Sequence, residues 1–323
     1  MMRKAIRIHC YGGPDVMRLE ELPVPVPGPA QALVRVCAAS VNFLDIQKRR
    51  GELVGQAFYQ RAAGDEPEFP AILGSQGVGV VEAIGPEVSN VRIGDRVAFW
   101  GHSYTTHTVL ASARLIAIPD ALSFERAAAG MNQGFLAYAF THFAYPIHPG
   151  DWCLIQAAAG GIGLLLCQMA KIRGGRVVGV TSTEEKAKFV REAGADEVII
   201  SNQADVAKQA RRLTQGRGVS VVYDGVGKDT FEASLNSLAP AGYFIIFQRV
   251  RASLRFDDTP GKRLAVSYAH EWPPLCERVS ALSQAACSLD RARKTFHQNR
   301  SHVSAGRRRT SPYRVRRTTL LLP

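Results

Sequence analysis

Three glycines, Gly160, Gly161 and Gly163, interrupt the apolar run QAAAGGIGLLLCQMAK at residues 156–171. The residues before them suit a strand and those after them suit a helix. In that setting a glycine-rich turn can hold a diphosphate. Aligned to G-x-G-x-x-G, the three positions are Ala158, Gly160 and Gly163. Glycine at the second position lets backbone approach the pyrophosphate, and glycine at the third lets the helix pack closely on the strand. Ala158 suits the first position if its φ stays negative. The helix N-terminus, at Gly161 and Ile162, then offers unpaired N–H groups and a partial positive charge. The plainer alternative is a tight structural turn. The strand and helix on either side favour a dinucleotide.

The next strand indicates which dinucleotide. A ribose 2′-hydroxyl is usually gripped by an acid about 20 residues on, at that strand's tip. Here RVVGV runs into Thr181-Ser182-Thr183, and Glu184 and Glu185 fall in the first turn of the next helix. Ser182 and Lys186 suit a 2′-phosphate, so NADPH is the expected cofactor. An ordinary solvated lysine is the alternative reading. Further along, Asp224-Gly225-Val226-Gly227 closes another strand. Its Gly225 and Val226, with Phe247 at the tip of GYFIIF, are expected near the cofactor, because ligands bind at the carboxyl ends of parallel strands.

These residues need elements to position them. Residues 1–125 read as β-rich: QALVRVCAAS, GVGVVEAIG, GDRVAFW and ARLIAIP are rich in β-formers between glycines and prolines. ELPVPVPGPA reads as a proline-punctuated loop. From LSFERAAAG onward, with Ser123 as the N-cap, strands and helices alternate as right-handed βαβ units do. The fold class expected is α/β: a barrel-like β domain over 1–125, a doubly wound parallel sheet over 126–269, and an irregular segment over 270–323.

Composition narrows the function classes. Of 323 residues, 46% are hydrophobic and 21% charged, as in a packed globular chain. No stretch of about 18 apolar residues suggests a membrane span. The N-terminus lacks the apolar core of a secretory signal, so a cytoplasmic address is expected. The six cysteines form no Cys-x-x-Cys pair, and buried reduced thiols are expected. The net charge is +12, but residues 1–247 hold 24 basic against 23 acidic residues, while 248–323 hold 16 against 5. The body of the chain therefore gives no reason to expect a polyanion partner.

The segments YGGPDVMRLEE, ASVNFLDIQKRRG, GVGVVEAIGPEV, IGDRVAF, IPDALSFERAAA, STEEKAKFVREAGADEVI and VVYDGVGKDTFEASLNSL, together with the glycine turn, span almost all of residues 10–247. In that order they resemble the zinc-free quinone oxidoreductase, or zeta-crystallin-like, branch of the medium-chain dehydrogenase/reductase family. The resemblance implies a GroES-like catalytic domain, a Rossmann domain, NADPH, and a quinone or α,β-unsaturated carbonyl (enone) as substrate. Zinc-dependent members carry Cys at the place of Asn42 and Gly-His-Glu at Gly74-Ser75-Gln76, and they add a four-cysteine lobe. No metal is therefore expected. Without one, a carbonyl needs another polarising group. Asn42 is the candidate amide donor, assigned to both catalysis and cofactor contact, and a turn-stabilising asparagine is the alternative. Gln47 stands where relatives often have Tyr. Tyr59, on the long segment 51–70, could enter the cleft, though a solvated loop residue is the plainer reading.

After Phe247 the family pattern fails, with a faint strand echo in GKRLAVSYA and a familiar LLLP at the end. The last 76 residues hold 14 Arg and 2 Lys. Three readings stand: a genuine basic tail that binds nucleic acid, a divergent closing segment, or an out-of-frame translation, which the arginine bias and abrupt break favour. In this family the last segment completes the first domain and the last Rossmann strand builds the homodimer. An aberrant ending would impair both. Rival functions are a nucleic-acid-binding protein and a non-catalytic NADPH-binding scaffold.

Overall fold

The computed structural model describes residues 1–52, 68–247, 263–266 and 319–320, the last two segments as backbone. The chain divides into two compact units. One holds Met1–Asn132 and a short C-terminal strand; the other begins at Gln133.

In the first unit, β1 (Met2–Ile8) pairs antiparallel with β2 (Arg18–Pro23) and β4 (Ala71–Ile72). The main sheet is built on β3 (Gln31–Ser40), which pairs antiparallel with β5 (Gln76–Ile84) and β7 (His107–Ala111). β5 continues to β6 (Arg96–Trp100) and then β8 (Ile116–Ala117). Alternate side chains of these strands enclose a core that includes Val34, Val36, Val81, Val97, Phe99 and Leu110. The β3–β5 register slips between Val36 and Ala38. Glycine is required there, because a Cβ on Gly79 would lie 2.0 Å from the Arg35 carbonyl oxygen. The short helix α1 (Phe43–Arg49) follows β3 directly.

The expected proline loop begins later than its sequence suggests. Glu21–Pro23 belong to β2, which tolerates proline because it lies at the sheet edge, where an N–H is not needed. ARLIAIP yields only the two-residue β8, since Ser112–Arg114 form a 3-10 turn.

Helix α2 (Phe124–Ala139) starts at Ser123, whose hydroxyl accepts from the Arg126 N–H at 3.3 Å. It runs past the division at Asn132 and widens into a π-helical turn over Phe140–Ala144. In the second unit the sheet order is β11-β10-β9-β12-β13-β14, and every pairing is parallel. The elements are β9 (Trp152–Ile155), α3 (Gly161–Ile172), β10 (Arg176–Thr181), α4 (Glu184–Glu192), β11 (Glu197–Ile200), α5 (Val206–Leu213), β12 (Val219–Asp224), α6 (Phe231–Ser237), β13 (Leu238–Ile246) and β14 (Arg263–Val266). Strands β9, β10 and β12 are almost wholly buried, as expected when helices cover both faces. The winding direction reverses between β9 and β12, which places a ligand crevice at their carboxyl ends.

Two pieces of the basic segment carry described backbone. The echo in GKRLAVSYA is β14, parallel to β13. Near the terminus, β15 (Thr319–Leu320) pairs antiparallel with β3, opposite Ser40 and Ala39. Cys153 and Cys167 are buried as expected, but Cys10 is exposed and Cys37 half-buried; both lie in the β-rich unit, where the first follows the end of β1. Cys276 and Cys287 lie outside the described residues. Among those described, no helix is long and apolar enough to cross a membrane.

Candidate functional site

The glycine turn starts where β9 ends. The Gln156 N–H donates to the Tyr223 carbonyl at 2.9 Å, so the turn leaves the sheet from a fixed point. The left-handed residue is Ala157, at φ 48°, while Ala158 is buried with an ordinary φ and donates to the Val180 carbonyl at 2.9 Å. The condition that the sequence placed on Ala158 is therefore met by its neighbour taking the strain. Gly160 is the helix N-cap and has no side chain to cap with. The first bond inside α3 runs from the Leu164 N–H to the Gly160 carbonyl at 3.0 Å. The N–H groups of Gly161, Ile162 and Gly163 therefore precede the helical ladder. Gly163 permits a close approach, since a Cβ there would lie 2.6 Å from the Ala157 carbonyl oxygen and 2.7 Å from the Ala158 Cα.

At the tip of β10, the Lys186 ammonium donates to the Ser182 hydroxyl at 3.1 Å, and Thr183 caps α4. Glu184 is engaged by Arg191 at 2.6 Å. At the tip of β12, the Val226 and Gly227 N–H groups both donate to Asp224 Oδ1, at 2.8 and 3.0 Å. A Cβ on Gly225 would meet the Phe247 ring at 2.6 Å, and that ring also packs on Phe140 with centroids 4.8 Å apart. Ala158, Gly160, Gly161, Ile162, Gly163, Ser182, Lys186, Gly225, Val226 and Phe247 therefore all lie at the carboxyl edge of one parallel sheet.

The first unit holds a separate polar cluster. Asn42 is buried and stands at the N-cap of α1. Its backbone N–H donates to Asp45 Oδ2 at 2.9 Å, and its amide Nδ2 donates to the Ser75 hydroxyl at 2.8 Å. The Tyr104 hydroxyl also donates to Asp45 Oδ2, at 3.0 Å. Burial pushes the Asp45 carboxyl above its usual range, against the lowering effect of these bonds. Burial also raises the Tyr104 phenol, and the Asp45 charge adds to the effect. The Lys48 ammonium is lowered by burial and partly restored by Asp45. Gln76 faces elsewhere. Its Nε2 donates to the Ser40 hydroxyl and the Ala128 carbonyl, both at 2.8 Å, and its Oε1 accepts from the Asn132 N–H at 3.2 Å. It thus staples α2 to β3 and β5. Gln47 is half-buried in α1, and its carbonyl accepts from the Glu52 N–H at 3.0 Å. Tyr59 lies outside the described residues. No group of three or more His, Cys, Asp or Glu side chains suited to a metal occurs among the described residues.

Sequence reasoning missed Tyr104, which joins Asn42 and Asp45, and also Thr230 and Ser234, whose hydroxyls donate to Asp224, and Gln156, whose amide donates to Ser234. Only the spacing Asp224, Thr230, Ser234 carried a signal, since the last two fall one helical turn apart behind an acid.

Two family models match the chain: an alcohol dehydrogenase GroES-like domain over residues 28–149 and a zinc-binding dehydrogenase domain over 161–267. A quinone oxidoreductase of Pseudomonas aeruginosa is 39% identical over 249 residues, which is 76% of this chain and 73% of the relative. A 2-haloacrylate reductase of a Burkholderia species is 37% identical, over 75% of this chain and 72% of the relative. Among solved structures, Escherichia coli quinone oxidoreductase complexed with NADPH superposes with a TM-score of 0.79 at 27% identity, covering 93% of this chain and 90% of that one. The glycine turn at the switch point and the two-domain match together carry one conclusion: the chain belongs to the quinone oxidoreductase, zeta-crystallin-like branch of the medium-chain dehydrogenase/reductase family.

Proposed function

We propose that this chain is an NADPH-dependent, zinc-free reductase of quinones or α,β-unsaturated carbonyls. The observation that carries the reading is the pairing of Ser182 with Lys186 at the tip of β10, where a 2′-hydroxyl reader would place an acid. The uncapped N–H groups of Gly161, Ile162 and Gly163 suit the diphosphate, and the turn is open enough for it because Gly160 and Gly161 are exposed. Bound there, NADPH supplies the hydride. Lys186 and Ser182 would hold its extra phosphate, the loop Gly225–Val226 and Phe247 would border its nicotinamide half, and Asn42 would donate its amide to the substrate carbonyl as negative charge develops there. Gln47 and Tyr59 are proposed to line the substrate side. Reduced quinones and saturated carbonyls are the products; the relatives named for quinone and for 2-haloacrylate reduction support this substrate range.

The side chains at positions 42, 75 and 76 do not suit zinc. They are an amide, a hydroxyl and a second amide, none of them the thiolate, imidazole or carboxylate ligand that zinc takes. A cytoplasmic location accompanies this reading, supported by the free thiols of Cys10, Cys37, Cys153 and Cys167. The reading includes impaired turnover and a weakened homodimer, because the arginine-rich ending departs from the family pattern.

The test is oxidation of NADPH by simple quinones and enones, followed by its absorbance. Steady oxidation with quinone supports the reading. Tight NADPH binding without turnover, in a chain whose residues 248–323 are replaced by the P. aeruginosa relative's ending, would leave a scaffold instead. The arginine excess favours a second reading, nucleic-acid binding by the tail. That binding would fall steeply with salt and vanish on deletion of residues 270–323.

A further inference from the structure

Asp224 is fully buried, and among the described residues no cation pairs with it. Neutral donors satisfy its carboxylate instead. Oδ1 accepts from the Val226 and Gly227 N–H groups at 2.8 and 3.0 Å, and the Thr230 hydroxyl reaches both oxygens at 2.9 and 2.7 Å. Oδ2 accepts from the Ser234 hydroxyl at 2.8 Å. Ser234 in turn accepts from Gln156 Nε2 at 3.0 Å. Gln156 is buried and immediately precedes Ala157, the left-handed residue that opens the glycine turn. The Asp224 carbonyl accepts the Phe247 N–H at 3.0 Å. One residue thus reaches the chain ends of β9, β12 and β13.

A buried carboxylate is costly unless its lone pairs are filled, and the cost rises sharply when one donor is lost. The backbone N–H groups of Val226 and Gly227 both converge on the one oxygen, Oδ1. The carboxylate therefore selects one conformation of that loop. Through Ser234 and Gln156 it also restrains the residue from which the glycine turn departs.

We propose that Asp224 is a positioning residue for the cofactor site: its carboxylate sets the Gly225–Val226 loop directly and the glycine turn through Ser234 and Gln156, so that both loops hold the dinucleotide together. This deepens the NADPH reading above and rests on it. The dinucleotide spans both loops, so loosening the link between them weakens binding of the cofactor and leaves the quinone's own contacts alone.

Two substitutions test the link in the full chain. Asp224→Asn keeps the volume and one acceptor but turns an NH2 toward the Thr230 and Ser234 hydroxyls. Ser234→Ala cuts only the branch to Gln156 and keeps the assay informative if the first variant does not fold. NADPH binding is read by the fluorescence of the bound nicotinamide, and turnover by NADPH oxidation with p-benzoquinone. Losing one neutral hydrogen bond predicts a roughly 3- to 10-fold higher NADPH Kd for Ser234→Ala, and losing charge-assisted ones roughly 10- to 100-fold for Asp224→Asn. The quinone KM at saturating NADPH is expected to stay within about two-fold, since those contacts lie elsewhere. Gln156→Met added to Ser234→Ala should change Kd little further, because both cut the same branch. An NADPH Kd unchanged in both single variants, or Gln156 and Ser234 effects that add fully, overturns the inference while the NADPH reading stands. No NADPH response from the unchanged chain overturns both.

Discussion

Replacing Gly163 by alanine tests whether the close contact between α3 and the glycine turn is what presents the helix N-terminus. The added Cβ would lie 2.6 Å from the Ala157 oxygen, 2.7 Å from the Ala158 Cα and 2.7 Å from the Ala158 oxygen. All three are backbone atoms, so no side chain can rotate away. Reaching ordinary contact near 3.4 Å requires the helix or the turn to move by ~0.8 Å. Overpacking of this kind costs about 1–3 kcal/mol, which lowers Tm by roughly 2–10 °C in a unit of this size. On the proposed reading, the same displacement would spoil alignment of at least one N–H with the diphosphate. A charge-assisted bond of about 1.5–3 kcal/mol then corresponds to a roughly 10- to 100-fold rise in the NADPH Kd. Gly161→Ala provides the contrast, because its Cβ would meet only Gln133 Cγ, at an ordinary 3.5 Å. Its Tm is expected to hold or rise, as alanine favours helix. The measurements are a thermal melt and a fluorescence titration with NADPH. If Gly163→Ala melts with the unchanged chain and binds NADPH equally well, close packing at this turn does not present the diphosphate donors.

Lys186→Glu should cut the preference for NADPH over NADH by about 10-fold or more, since a carboxylate replaces the ammonium beside Ser182; the ratio of kcat/KM for the two cofactors measures this, and an unchanged ratio refutes it. Asn42→Ala should lower kcat with quinone by about 10-fold or more while the NADPH Kd stays within a few-fold, at a fold cost of about 0.5–2 kcal/mol from the lost N-cap; unaltered steady-state turnover would remove Asn42 from the chemistry. Burial holds the Cys167 thiol up at about 12. Unfolded thiols ionise near pH 8.5, so the stability this group contributes is complete below that pH and drains away as pH rises toward about 12, at about 1.4 kcal/mol per pH unit. Cys167→Ala should flatten the loss of urea stability between pH 9 and 11 by about that slope; parallel curves for the two proteins would show that the thiol does not titrate this way.

How much of this was legible without coordinates differs from element to element. The glycine turn, the βαβ alternation and the missing acid at Thr181–Thr183 depend on residues close in sequence, and each follows from local rules of period, capping and charge. β3 over Gln31–Ser40 and α3 starting at Gly161 match the segments that pattern alone marks out. Composition puts the start of the proline loop too early, because edge position decides whether Pro23 can sit in a strand. ARLIAIP reads as a longer strand than β8 because the 3-10 turn at Ser112–Arg114 leaves no trace in its apolar pattern.

The sequence by itself determined the two-part α/β plan, the glycine turn between β9 and α3 and the lack of an acid at the tip of β10, because neighbours a few residues apart create those features. Only the tertiary structure decided that Gln76 staples a helix instead of joining Asn42, that Ala157 and not Ala158 takes the left-handed backbone, and that Asp224 reaches Gln156 through Ser234. Those outcomes depend on groups tens of residues apart, whose hydrogen-bond partners become defined only when the strands align and buried polar atoms must be satisfied.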